Sequence, residues 1–234
     1  LILQVEAHGC DVGLAFDGDG DRLGVVDDKG RVVSPDHLLM LFADDVLRRK
    51  PGATIIADVK TSDAFFARVK EQGGNPVMWM TGHAHIKTKM RQMGALFGGE
   101  ASGHIFFADQ YFGYDDGLYA ALRILALIAR QEKPLSALID ALPQLHGSHE
   151  IRIACPDEEK FQRIGSLQLS LEKAGATMST IDGVRVSTPD GWWLLRASNT
   201  QPALVGRAEA TSAQGLERVM KELTQALKSV GLTL

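Results

Sequence analysis

Val12-Gly13-Leu14-Ala15-Phe16-Asp17-Gly18-Asp19-Gly20-Asp21-Arg22-Leu23-Gly24-Val25-Val26 sets two apolar runs around an acidic core in which glycine alternates with aspartate. The flanking runs read as buried strands at Val12–Phe16 and Leu23–Val26. Carboxylates at i, i+2 and i+4 would repel one another in a regular strand or helix. The glycines permit a curled backbone that turns all three inward, where a hard cation cancels their charge. Oxygen-only ligation favours magnesium or calcium over zinc. A solvated acidic turn is the plain alternative, but such a turn seldom needs this alternation. An EF-hand also begins with Asp at its first, third and fifth positions. It requires glycine where Arg22 stands, glutamate where Asp28 stands, and helices rather than strands on either side. Arg22 beside the loop suits a phosphate that also touches the metal.

Outward from this loop, residues 1–9 suggest the tail of an amphipathic helix closed by Gly9, and Asp28-Lys29-Gly30 marks a turn. The chain starts on exposed aliphatic residues without a cap, which leads us to expect a fragment of something longer. Ser34-Pro35 starts a helix that runs to Lys50. Strands at 54–59, 76–80 and 95–98 then alternate with helices at 62–72, 84–93 and 115–131. That alternation predicts an α/β layer with a mainly parallel sheet and helices on both faces. After Pro143 the texture changes. A strand at 149–154, a helix at 157–174 capped by Asp157, a strand at 177–181 and a hairpin of 184–187 with 192–196 follow. A strand at 203–209 and a helix capped by Ser212 complete a small α+β domain. Trp192 and Trp193 read as one core and one rim aromatic.

Composition narrows the function. With 45% hydrophobic and 23% charged residues over 234, the chain is an ordinary globular sequence. Its net charge of −4 argues against a nucleic-acid partner. No apolar run approaches the roughly 18 residues that span a membrane. Two isolated cysteines, Cys10 and Cys155, fit a reducing compartment, which we expect to be the cytoplasm.

Four further segments carry chemistry. Arg196-Ala197-Ser198-Asn199-Thr200-Gln201-Pro202 combines a guanidinium fork, two hydroxyls and an amide in a polar turn suited to phosphate, although Ser-Asn-Thr alone is commonly just a turn. Gly98-Gly99-Glu100-Ala101-Ser102-Gly103-His104 offers a carboxylate and a hydroxyl to sugar hydroxyls, small neighbours for close approach, and a histidine for proton transfer. Thr81-Gly82-His83 and Asp58-Val59-Lys60-Thr61-Ser62 stand at carboxyl ends of strands, where open α/β sheets bind ligands.

These five segments, in this order, resemble the α-D-phosphohexomutase superfamily, and within it the bacterial phosphomannomutase/phosphoglucomutase group. Asp17 to Arg22 is similar to the family's metal loop, Gly99 to His104 to its sugar loop, and Arg196 to Thr200 to its phosphate loop. The resemblance implies an enzyme that interconverts hexose 1-phosphate and hexose 6-phosphate through a glucose or mannose 1,6-bisphosphate and an enzyme phosphoserine. Asp17, Asp19 and Asp21 would hold Mg²⁺. Arg22, Lys60 and His104 would act near the reacting groups. His83, Glu100, Ser102, Arg196, Ser198, Asn199 and Thr200 would bind the phosphorylated hexose. No serine stands in the family's nucleophile context. Residues 1–31 would therefore be the end of domain 2, residues 32–145 the sugar-binding domain 3, and residues 146–234 the TATA-binding-protein-like domain 4, with an N-terminal partner segment elsewhere. This chain alone is expected to be inactive.

Three other readings compete. A non-catalytic phosphosugar-binding module is one. A phosphatase working through an aspartyl phosphate would want Gly-Thr after its acidic pair, where Asp21-Arg22 stands. Phosphoglucosamine mutase is the rival within the family, and Ala101, where that group usually carries Gln, leans towards glucose and mannose phosphates.

Overall fold

In the computed structural model, which describes residues 1–233, the first helix α1 (Ile2–His8) ends where Gly9 turns left-handed at φ 59°. Strands β1 (Val12–Phe16), β2 (Leu23–Asp27) and β3 (Val32–Val33) form an antiparallel sheet in that order. Phe16 pairs with Leu23, so the acidic loop leaves the end of a hairpin. The turn into β3 is tied by the Asp27 carboxylate, which accepts the backbone N–H of Lys29 at 3.0 Å and of Arg31 at 2.9 Å.

Helix α2 (Pro35–Arg49) starts as expected, with Pro35 in its first turn and the Ser34 hydroxyl accepting from His37 N–H. It leads to β4 (Thr54–Asp58), α3 (Asp63–Glu71), β5 (Asn75–Trp79), α4 (His83–Met93), β6 (Phe97–Gly99) and β7 (Ile105–Phe107). Helices α5 (Gly117–Arg130) and α6 (Leu135–Asp140) follow. The sheet order is β5-β4-β6-β7. The first three strands are parallel and β7 runs antiparallel to β6. Ile56, Phe106, Ile86 and Met90 form the core between the sheet and α4. On the other face Phe42 of α2 meets Phe107 and Phe97 at ring-centroid distances of 5.1 and 6.2 Å. With helices on both faces, β4 is buried on each side, and its middle residues Ile55-Ile56-Ala57 are all apolar.

The chain divides into two compact units, Leu1–Gln144 and Leu145–Leu234. The second holds β8 (His146–Gly147), β9 (Ile151–Ala154), α7 (Asp157–Lys173), β10 (Met178–Ser179), β11 (Val184–Thr188), β12 (Gly191–Ala197), β13 (Ala203–Ala210) and α8 (Ala213–Ser229). Its antiparallel sheet runs β10-β11-β12-β13-β8, with β9 also paired to β13. Ile164 and Leu167 of α7 and Val219, Leu223 and Leu227 of α8 form one core with Trp193, Leu195 and Leu204.

Two local expectations are corrected here. Asp157 does not cap α7: the cap position is Pro156, which gives no side-chain bond, and Asp157 sits in the first turn, paired with Lys160 at 2.6 Å. Proline's fixed extended geometry already halts the chain before the helix, and a carboxylate is favourable at the helix's positive end. Neither tryptophan lies on the rim, with Trp192 only 1% and Trp193 only 2% exposed. Neighbours on a strand point to opposite faces, and β12 is covered on both. Trp192 lies under the Arg185 guanidinium, 3.7 Å from its ring centroid, and donates to Glu209. Among the described residues no helix is long and apolar enough to cross a membrane.

Candidate functional site

The acidic loop curls as its glycines allow, and carboxylate oxygens of Asp17, Asp19 and Asp21 lie within 4.8 Å of one another. Arg22 folds back on it: its Nε stands 2.5 Å from Asp17 Oδ2 and 3.7 Å from Asp21 Oδ1, and its backbone N–H also binds Asp17. Burial pushes the Asp17 carboxyl up, but the Arg22 side chain and N–H outweigh it and hold the group down to about 2. Asp21 Oδ1 is buried with no hydrogen-bond donor among the described residues. Three carboxylates, one orphaned oxygen and an all-oxygen donor set fit a hard divalent cation such as Mg²⁺. The loop is seated on α5, where Gly117 N–H donates to Gly20 O at 3.0 Å. A Cβ on Gly117 would stand 2.7 Å from the carbonyl oxygens of Gly20 and Arg22, so this helix start needs glycine.

An antiparallel bridge joins Arg22 to His104, and Leu23 N–H donates to Gly103 O at 3.3 Å. The acidic loop and the Glu100–His104 segment are thereby stitched together. His104 Nε2 faces Asp21 Oδ2 at 3.3 Å, while its Nδ1 faces Ser102 Oγ at 2.8 Å and Glu100 Oε2 at 3.3 Å. Ser102 Oγ donates to Glu100 Oε2 at 2.9 Å, and Gly82 N–H donates to Glu100 Oε1 at 2.8 Å. Burial alone would lower the His104 pKa, but Glu100, Asp21 and Asp115 raise it above the ordinary imidazole value. Glu100 is the mirror case: burial pushes it up, and His104, Ser102 and Gly82 bring it below the ordinary glutamate value. With carboxylates at both ring nitrogens, His104 is held ready to carry a proton.

His83 opens α4 and points Nδ1 at Asp115 Oδ2, 2.8 Å away, while Lys87 Nζ reaches Asp115 Oδ1 at 2.8 Å. Asp115, His83, His104 and Asp21 offer ligand-type atoms within 4.8 Å of one another. The structure thus brings His83, Glu100, Ser102 and His104 to the acidic loop. It adds Asp115 and Lys87, which the sequence reading did not single out. Asp116 caps α5, accepting Tyr119 N–H at 2.8 Å, and leaves Asp115 to His83. Lys60 is buried at the end of β4, 7% exposed, beside a fully buried Asp58. Burial pushes the Asp58 carboxyl up, opposed by the charge of Lys60 and by its hydrogen bonds.

In the second unit, Arg196 is 4% exposed; its Nε donates to Asp182 at 2.8 Å and one terminal nitrogen, Nη2, has no hydrogen-bond partner among the described residues. Ser198 is buried, and its Oγ accepts the N–H groups of Thr200 at 3.4 Å and Gln201 at 3.2 Å, whereas Asn199 and Thr200 are exposed. Lys160, which sequence reasoning missed, shapes this turn from α7 by donating to the carbonyls of Ser198 at 2.7 Å and Gln201 at 3.1 Å. A lysine within a helix whose apolar stripe faces a core was the available signal. Gly183, at φ +76°, allows the turn before β11 to press against β12, since a Cβ there would lie 2.4 Å from Leu195 O.

Comparison with known proteins fits this arrangement. Residues 34–146 match the family described as phosphoglucomutase/phosphomannomutase, alpha/beta/alpha domain III, and residues 150–226 match that family's C-terminal domain. A phosphomannomutase/phosphoglucomutase of Pseudomonas aeruginosa is 47% identical over 234 residues, covering 100% of this chain and 50% of the relative. A phosphoglucomutase of Neisseria meningitidis is 46% identical over 231 residues, 98% of this chain and 50% of its own. The crystal structure of a phosphoglucomutase/phosphomannomutase family protein from Burkholderia thailandensis superposes with a TM-score of 0.91 at 44% identity, covering 100% of this chain and 50% of that one. The chain thus spans about half the length of the curated relatives it matches. It belongs to the phosphoglucomutase/phosphomannomutase family, of which it carries domain III and the C-terminal domain.

Proposed function

We propose that this chain supplies the cation loop, sugar loop and distal phosphate loop of a phosphohexomutase that interconverts hexose 1-phosphate and hexose 6-phosphate. The observation that carries this reading is the bridge between Arg22 and His104, which sets the aspartate loop beside Glu100, Ser102 and His104. In this reading residues 1–31 close a domain completed elsewhere in the protein, and the phosphoserine that gives and retakes the phosphoryl group lies outside the chain. Asp17, Asp19 and Asp21 hold Mg²⁺, which when bound offsets the charge of the transferring phosphoryl group. Arg22, with its side chain 48% exposed, offers a guanidinium to the same phosphate. Glu100 and Ser102 accept and donate to neighbouring sugar hydroxyls in either ring orientation. His104 is the proton-transfer partner of the reacting groups, and His83, held by Asp115, meets the substrate at the start of α4. Lys60 adds positive charge beyond the carboxyl end of β4. Arg196, Ser198, Asn199 and Thr200 grip the phosphate that is not reacting, for which the unpartnered Arg196 nitrogen is a ready donor.

The names of the Pseudomonas and Neisseria relatives, together with Ala101, support glucose or mannose phosphates over an amino sugar, with the matching 1,6-bisphosphate as intermediate. Free Cys10 and Cys155 support a reducing, cytoplasmic location. A coupled mutase assay with glucose 1-phosphate and mannose 1-phosphate, on the intact protein and on residues 1–234 alone, tests the proposal. The intact protein is expected to turn over both sugars at Mg²⁺ saturation, and the chain alone to bind sugar phosphate without turnover. Turnover by the chain alone, or none by the intact protein, would refute it.

A further inference from the structure

Strand β4 lies between β5 and β6, with Asp58 opposite Trp79 and Ala57 opposite Gly99. Three loops therefore leave the sheet around the last residue of β4. The Asp58 carboxylate binds all three: Oδ1 accepts the Thr61 hydroxyl at 2.8 Å and Ala101 N–H at 3.2 Å, and Oδ2 accepts the Thr81 hydroxyl at 3.0 Å. The side chain is 0% exposed. Burying a carboxylate is unfavourable, and the rest of β4, Ile55-Ile56-Ala57, shows that the sheet itself asks only for apolar residues here. Each bond lands beside a residue of the proposed site. Thr61 follows Lys60, Thr81 stands two residues before His83, and Ala101 lies between Glu100 and Ser102. The loops are further braced where Gly82 N–H meets Glu100 Oε1.

We propose that Asp58 is a positioning residue, a single buried pin that sets the Lys60, His83 and Glu100–His104 loops in register with one another. The proposal rests on the phosphohexomutase reading for its consequence in catalysis, but not for its structural content. Removing the pin leaves the strands paired and lets the three loops drift together, and displacements of about 1 Å in such loops cost on the order of 100-fold.

The test pairs kinetics with hydrogen–deuterium exchange on the intact protein, comparing wild type with Asp58→Ala, Asp58→Asn and Thr81→Val. In Asp58→Ala, kcat/KM is expected to fall about 100-fold, and peptides covering 60–62, 81–85 and 100–104 to exchange faster together while β4 and β6 stay protected. Asp58→Asn can still accept from Thr61 and Ala101 while the Thr81 hydroxyl turns to receive its amide, so it should recover activity to within about tenfold of wild type. Thr81→Val should loosen 81–85 alone, and it decides the matter with Asp58→Asn if the alanine variant does not fold. A lowered melting temperature with unchanged kcat/KM and unchanged loop exchange would overturn the proposal. So would faster exchange in only one loop of Asp58→Ala. A wild type without mutase turnover overturns the functional reading alone, and the exchange result then decides the pin by itself.

Discussion

Asp45 and Asp109, on the sheet face that carries α2 and α5, lie against four arginines: Arg48, Arg49, Arg123 and Arg130 all reach Asp45, and Arg49 and Arg123 also reach Asp109. Asp17, Asp19 and Asp21 lie against one arginine and one histidine, Arg22 and His104. The first group is closed, with both carboxylates 1% exposed and positive charge in excess. The second is left with surplus negative charge and a buried oxygen without a donor among the described residues. The same side chains thus serve two purposes. Where guanidiniums outnumber carboxylates the network braces helices; where carboxylates outnumber cations, negative charge is left over for the proposed ion.

The two should therefore break differently. Asp45→Ala leaves four guanidiniums short of a carboxylate, and should lower unfolding free energy by about 3 kcal/mol in a denaturant titration. Lys160→Met removes the donor to the carbonyls of Ser198 and Gln201, and should cost about 1–2 kcal/mol together with, on the proposed reading, weaker sugar-phosphate binding in calorimetry. Asp115→Asn should lower kcat/KM about tenfold by releasing His83 and Lys87, with little change in melting temperature. At the acidic loop the sign reverses. Asp19→Asn relieves repulsion, and should raise the melting temperature of the metal-free protein by about 1–2 °C while weakening Mg²⁺ binding.

Acid sharpens the same contrast. Burial pushes the Asp45 and Asp109 carboxyls up, but their arginines outweigh it and hold both below the ordinary value. A depressed pKa stabilises the fold above the unfolded value of about 3.9, and that contribution is lost as pH falls through the lower folded value. Denaturant midpoints measured from pH 7 down to about 2.5 should therefore fall below about pH 4 in wild type and more gently in Asp45→Asn.

Much of this architecture was legible in local sequence. Glycine alternation announced the acidic loop, and strand–turn–helix signals located the ends of β4, β5 and β6. The short elements β3, β7 and α6 escaped because two to six residues cannot show a period. One of Trp192 and Trp193 was wrongly expected on the rim because what covers the second face of β12 is not written in its neighbours. Asp58 was read only as the start of a ligand-binding strand end, and Asp115 and Lys160 were given no site role, for a common reason. An aspartate at a strand end reads as a turn residue and a lysine in a helix as a solvated one. Only the placing of β4 between two parallel partners, or of α7 beneath the Ser198–Gln201 turn, gives such residues something to hold.

The claim on which all of this depends is that Asp17, Asp19 and Asp21 converge on one divalent cation beside His104. Titrating Mn²⁺ into the protein, with Mg²⁺ as competitor, and following histidine ring signals by NMR addresses it directly. One saturable site that broadens His104 and His83, is displaced by Mg²⁺ and disappears in Asp21→Asn is the predicted result. Uniform broadening, or binding that survives Asp21→Asn unchanged, would contradict it.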